Sequence, residues 1–195
     1  MKDVQALLAA AAALVVDEGL DYAAAKHKAA RAQAWRGPLP DHQALEQAVQ
    51  EHIAIFHADT QPAELRALRA LALRWMQRLA PLRPHLAGAV WRGTATRQSA
   101  ILIDLYCDDP KVAEIMLLDQ GLDFDTAVLP GAGRGGDALD VLSLTVPCPA
   151  LHDHATLHLR VNDLDALRGA LKPDAQGRPW RGDAPALVRL MQEGA

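Results

Sequence analysis

The apolar residues of this chain change their period at one point, and that change limits the fold more than any other feature. Up to about residue 80 they recur at three- and four-residue intervals, as on one face of a helix. Beyond Gly88 they fall into short runs separated by glycine, proline and aspartate. The first pattern predicts helices over about 3–18, 21–35, 41–58 and 62–80, with Asp21 and Asp41 as N-caps, Gly19 closing the first, and Pro62 with Glu64 in the first turn of the fourth. In the fourth, Leu65, Leu68, Ala72, Trp75, Met76 and Leu79 form a stripe about 100° wide that reads as core, with Trp75 a packing anchor. Arg66, Arg69, Arg74 and Arg78 lie off it, and Pro81 and Pro84 end the helix.

The second pattern predicts strands at Ile101–Cys107, Phe124–Leu129, Leu139–Val146 and Thr156–Val161. Helices are expected at Lys111–Gln120, opened by Asp109-Pro110 and closed by Gly121, and near 163–171 and 183–193. The link Gly131-Ala-Gly-Arg-Gly-Gly136 has no Gly-Lys-Ser/Thr ending and opens no helix, so it reads as a hairpin turn rather than a phosphate loop. The expected division is a helical region over 1–85 and an α/β domain over 86–195.

Composition narrows the class further. With 50% hydrophobic but only 4% aromatic residues, the core must be built from Leu, Ala and Val. Cys107 and Cys148 sit in apolar surroundings and read as buried thiols of a reducing cytoplasm, with a disulfide between them open but unsupported by any pattern. The apolar run Ala6–Val16 is too short to span a bilayer and is followed by Asp17-Glu18, so it reads as a buried helix, and a cytoplasmic location with no membrane partner is expected. The net charge of −4 conceals an asymmetry: residues 1–102 carry 12 Lys+Arg against 9 Asp+Glu, residues 103–195 carry 8 against 15. Between Glu64 and Arg97, seven arginines face that single acid, which reads either as a solvated helix face or as a patch for a phosphate-rich partner.

At the change of period stands Gly88-Ala-Val-Trp-Arg-Gly-Thr-Ala-Thr-Arg-Gln-Ser-Ala-Ile-Leu-Ile-Asp-Leu105. It resembles the signature Gly-Ser-x-x-Arg-Gly-x-Ala-x-x-x-Ser-Asp-Ile-Asp-Leu of the DNA polymerase β-like nucleotidyltransferase superfamily, in its small bacterial members. Gly88, Arg92, Gly93, Ala95, Ser99 and Ile101 match without a gap. Ala89 replaces the serine that helps hold triphosphate, and Ala100 and Leu102 replace the two metal-binding aspartates. The likeness runs from about residue 86 to 145 and includes Asp140, which resembles the third carboxylate in its hydrophobic-Asp-hydrophobic setting. The fold it implies is α+β: a helical N-terminal region, then a small nucleotidyltransferase-like mixed sheet with flanking helices.

The departures fall on the chemistry. Nucleotidyl transfer uses two divalent cations about 3.5–4 Å apart, and hard cations demand carboxylate oxygens that a methyl or isobutyl group does not offer. Strand alternation puts Ala100, Leu102 and Asp104 on one face, with Asp104 roughly 6–7 Å beyond the second missing carboxylate. The leading expectation is therefore a degenerate nucleotidyltransferase with a binding or regulatory role, acting through a groove between the basic fourth helix and the altered strand. By resemblance its ligand-binding residues are Gly88, Ala89, Arg92, Gly93, Thr94 and Ser99, with nucleotide or another phosphate-rich molecule as ligand. Arg92 could equally pair with an acid, and Ser99 could cap the strand entry. An active Mg2+-dependent enzyme would have to use Asp104 and Asp140, with Asp108 or Asp109 assisting. A third reading is a non-enzymatic partner protein that docks another chain through its helical half.

Other chemistries lack their patterns. His152, His154 and His158 near Cys148 have no zinc-site spacing, and Glu51-His52 with His57 places the histidines five apart, where helical positions diverge. No Gly-x-Ser-x-Gly elbow and no muramate-ligase phosphate loop is present.

Overall fold

A computed structural model describes residues 3–129 and 138–193; the glycine-rich link 131–136 lies outside the described residues. The chain is α+β and forms two compact units, Met1–Leu65 with Gly93–Ser99, and Arg66–Arg92 with Ala100–Ala195. In this grouping the later part of the fourth helix goes with the sheet, and the seven residues Gly93–Ser99 go with the helices.

The first unit is built on α1 (Val4–Glu18), α2 (Tyr22–Ala32) and α3 (His42–Phe56). Asp3, Asp21 and Asp41 each cap a helix by accepting a backbone N–H of the first turn, and Gly19 ends α1 in the left-handed conformation. Such caps satisfy N–H groups that have no partner within the helix. Leu7, Leu8, Ala11, Ala12, Val15 and Val16 of α1 share a buried cluster with Ala25 and Ala29 of α2 and Leu45, Val49 and Ile53 of α3. The small α2 residues at i and i+4 allow close approach of its backbone.

The segment Gly93–Ser99 is tied to this unit by polar bonds. The Gln61 amide donates to the Gly93 and Ala95 carbonyls at 3.0 and 2.9 Å. The Thr96 hydroxyl donates to the Val16 carbonyl at 2.9 Å, one of the α1 carbonyls left without an intrahelical partner. The Glu64 carboxylate accepts from the Arg97 N–H at 2.9 Å.

Helix α4 (Gln61–Arg78) contributes residues to both units. In the second unit its Leu68, Ala72, Trp75 and Met76, with Leu79 just beyond it, are buried as the stripe predicts, while Leu65 in the first unit is only half-buried. The unit's sheet comprises β1 (His85–Ala87), β2 (Ile101–Cys107), β3 (Asp125–Leu129), β4 (Leu139–Cys148), β5 (Asp153–Asp163) and β6 (Arg181–Gly182), in the order β3-β4-β5-β2-β1-β6. Only the β2–β5 pair is parallel. Helices α5 (Gly88–Arg92), α6 (Lys111–Asp119), α7 (Ala166–Ala170) and α8 (Ala184–Glu193) complete it. Among the described residues no helix is long and apolar enough to cross a membrane.

Register fixes what each sheet face carries. Ile101, Ile103 and Leu105 of β2 pair with Leu157, Leu159 and Val161 of β5, and the last two of these pair in turn with Leu142 and Asp140 of β4. These positions form an apolar face whose hydrophobic members are buried. The alternate positions, Leu102, Asp104 and Tyr106 beside His158, Arg160 and Asn162, form a polar face.

Between β1 and β2 the chain forms the short helix α5. Gly88 opens it at φ 67°; a Cβ there would meet only the Leu102 side chain at 3.5 Å, so the backbone conformation rather than crowding calls for glycine. At Gly182 the reason is crowding: a Cβ would lie 2.1 Å from the ring of Trp91, whose Nε1 donates to the Pro179 carbonyl at 2.8 Å. Gly182→Ala must displace that ring, and we expect a loss of about 2 kcal/mol in urea unfolding. A variant as stable as the parent would show that the indole does not occupy this space.

Candidate functional site

The polar face is organised around one carboxylate. Asp104 lies on β2 with only 1% of its side chain exposed. Its direct neighbour across the parallel pair, Arg160, donates from Nε to Oδ1 at 2.6 Å. Arg181 of β6 donates from Nη1 to Oδ2 at 2.6 Å and to the Tyr106 hydroxyl at 2.8 Å. Each oxygen thus receives a charge-assisted bond, the strong kind. His85, opposite Asp104 on β1, sets its ring edge-on to Tyr106 at 5.3 Å. Burial, followed by the negative charge of Asp104, pushes the Tyr106 hydroxyl above its ordinary pKa, with Arg181 opposing.

The acids expected to serve an active enzyme do not meet. Asp104 pairs with Arg160, and Arg160 with Val141, so Asp140, one residue from Val141, projects from the opposite face. Ala100 precedes β2, and Leu102 carries hydrocarbon to the Asp104 face. The other acid on that face of the sheet, Asp125, belongs to β3, three strands away and so roughly 14 Å distant. Asp109 Oδ1 accepts the Lys111 N–H at 2.9 Å, opening α6. This donor set does not fit a magnesium pair: the one central carboxylate already has both oxygens held by guanidinium groups.

The six ligand-binding candidates divide between the units. Gly88, Ala89 and Arg92 lie in the second; Gly93, Thr94 and Ser99 lie in the first. Arg92 bonds Asp174 at 3.0 Å, with both side chains under 10% exposed, and stacks on Trp180 at 4.7 Å. The Ser99 hydroxyl accepts the Thr96 N–H at 3.0 Å, closing the turn before β2. The Gly93 carbonyl is used by Gln61. Thr94 Oγ1 is buried and has no hydrogen-bond partner among the described residues. The acid-pairing and capping roles weighed for Arg92 and Ser99 are both present.

The arginines of α4 are also partly engaged. Arg69 donates to the Val90 and Trp91 carbonyls at 3.1 and 3.2 Å, capping the C-terminal end of α5. Arg78 lies over the Trp75 ring at 4.9 Å and donates to Gln120. Residues not singled out from sequence complete the basic surroundings of Arg92: a shallow cavity of about 340 Å³ is lined by Trp91, Arg92, Arg178, Arg189 and Glu193, among others. Elsewhere on the polar face, His158 Nδ1 meets Ser143 Oγ at 2.8 Å, a satisfied histidine rather than a zinc ligand. The cysteines are free, and burial, then the charges of Asp109, Asp108 and Asp163, raises the pKa of Cys107.

The fold and its polar sheet face define a mixed α+β chain with a carboxylate-centred strand beside a short glycine-led helix. No family model and no curated protein matches it. Solved structures that do match include the Cid1 poly(U) polymerase with MgGTP bound, 16% identical over 53% of this chain and 33% of that chain, TM-score 0.33. Another is Cid1 described for its RNA terminal uridylyl transferase activity, 18% identical over 56% and 32%, TM-score 0.31. The chain thus spans about a third of the length of these proteins.

Removing the central charge leaves two guanidinium groups facing each other. Asp104→Asn is expected to cost about 3 kcal/mol in urea unfolding, since an uncompensated charge pair is left largely out of water; equal stability would show that Arg160 and Arg181 do not depend on Asp104. A separate expectation follows from His158, whose pKa burial holds below the ordinary histidine value. The unfolded chain then binds the proton more readily, so its contribution is complete above about pH 6.5 and is lost as pH falls toward the folded value. His158→Gln should flatten part of the decline in melting temperature between about pH 7 and pH 5. Burial, with Lys26 second, likewise lowers the His42 pKa and leaves a remainder.

Proposed function

We propose that this chain is a catalytically degenerate protein of nucleotidyltransferase fold whose role is to bind a phosphate-bearing ligand without turning it over. The observation that carries this reading is the double arginine hold on Asp104, in a strand that carries Leu102, and follows Ala100, at the two positions where the resembled signature has aspartates. The opposite-face placement of Asp104 and Asp140 speaks against the active-enzyme alternative, because carboxylates on two faces cannot flank one cation pair.

The ligand-binding part of the proposal centres on Arg92, with Gly88 and Ala89 opening α5 beside it. Support comes from the cavity next to Arg92, where Arg178 and Arg189 add cationic groups and Trp91 an aromatic wall. Asp174 and Glu193 offset two of those three charges, so the wall keeps a single positive excess. A phosphate would meet guanidinium donors in the fork geometry that suits it.

A thermal-shift panel of nucleoside mono-, di- and triphosphates, each with and without magnesium or manganese, tests it. The expected result is a rise in melting temperature with nucleotide that does not require metal, since a ligand at 100 times its Kd adds about 2.7 kcal/mol. Exposed Arg189, changed to Ala, should weaken the response about tenfold, the effect of one lost charge-assisted bond. Magnesium-dependent turnover of any nucleoside triphosphate by the purified chain would overturn the proposal.

A further inference from the structure

The helical unit brings Asp17 together with His52 and His57, from which it is 35 and 40 residues distant in sequence. Asp17 lies in the last turn of α1, His52 in the last turns of α3, and His57 is the residue that ends α3. His57 Nε2 approaches Asp17 Oδ1 at 3.1 Å, and His52 Nε2 approaches Asp17 Oδ2 at 3.6 Å. One ligand atom from each residue lies within 4.8 Å of the other two. Five-residue spacing on a continuous helix separates two side chains, but His57 departs from helical geometry at φ −131°, ψ 14°, and its ring turns back toward that of His52, 5.9 Å away.

We propose that Asp17, His52 and His57 form a binding site for a divalent first-row transition metal ion such as zinc. Ligands at about 2.0–2.2 Å in tetrahedral arrangement stand about 3.3–3.6 Å apart. His57 Nε2 stands 3.1 Å from Oδ1 of Asp17 and His52 Nε2 3.6 Å from Oδ2, and with one ligand atom from each residue all three lie within 4.8 Å, so small side-chain rotations bring them to that spacing. Two nitrogen donors and one carboxylate select zinc, copper, nickel or iron over magnesium and calcium, which prefer oxygen. The field agrees: neither α1 nor α3 carries a basic residue in its last turn, so two helix C-termini and an aspartate put negative potential at this point. The Phe56 ring, 4.7 Å from that of His52, flanks one ligand. Side-chain exposures of 16% for His52, 29% for His57 and 49% for Asp17 leave the ion open to solvent. With three protein ligands, its remaining position would take water or a donor from a bound molecule.

Titration calorimetry of the whole chain with zinc chloride in a non-chelating buffer tests the site, with cobalt as a spectroscopic probe. One zinc per chain is expected, with a cobalt complex whose visible bands mark four or five ligands including nitrogen. Asp17→Asn should weaken binding about tenfold and the His52→Ala/His57→Ala double variant should remove it, while His154→Gln leaves it unchanged. Should the double variant lose helicity, exposed Asp17 decides, because its amide variant keeps size and shape. No heat of zinc binding in the parent chain, or unchanged affinity in the variant that decides, overturns the proposal.

Discussion

The sheet unit depends on the compensation of one buried negative charge. Placing a carboxylate with 1% exposure on a central strand costs several kcal/mol in lost hydration. It persists only where cations and hydrogen bonds replace water. Arg160 supplies one from the parallel neighbour and Arg181 the other from the edge strand β6, two strands from β2. The polar face therefore needs the β2–β5 and β1–β6 pairings in their correct registers, because a slip of one residue would turn either arginine to the apolar face. The short β6, two residues long, matters to this arrangement beyond its few ladder bonds.

Much of the architecture was legible because local signals agreed. Asp21 and Asp41 cap the helices they were expected to cap, Gly19 ends α1, and β2 spans Ile101–Cys107 as its apolar run implies. Leu68, Ala72, Trp75, Met76 and Leu79 are buried because a helical stripe of that width must face a core. What escaped was set by distance or brevity. Strands β1 and β6, three and two residues long, are too short to show alternation. The partners of Asp104 lie 56 and 77 positions downstream, and nothing in a single sequence marks Arg160 or Arg181 among its arginines.

The candidate site was legible in a different sense. Strand alternation placed Leu102 and Asp104 on one face, which the register bears out. The same rule applied to Asp140 needed the pairing of β4 with β5, and this pairing sends Asp140 to the other face. The helical unit shows the complementary case. The five-residue spacing of His52 and His57 argues against a shared ligand on an unbroken helix, yet α3 ends between them and the rule no longer applies. A helix terminus changes which side chains are neighbours, and terminus positions are the least determined by periodicity.

Charge balance links Asp104 to the arginines on the polar face. A two-metal centre concentrates several carboxylates because cations will neutralise them, and each acid depends on the ions for its stability. If Ala100 and Leu102 stand at two such acid positions, as proposed, Asp104 has no such ions to rely on and must be neutralised by the chain itself. Two guanidinium groups carry the same formal charge as one divalent ion, are covalently fixed, and do not exchange with solvent. On the proposed reading, Arg160 and Arg181 supply permanently the compensation that a cation supplies transiently in an enzyme. On the same reading, aspartate introduced at 102 would set a new carboxylate on the face that already carries Arg160, with which it can pair before any metal arrives.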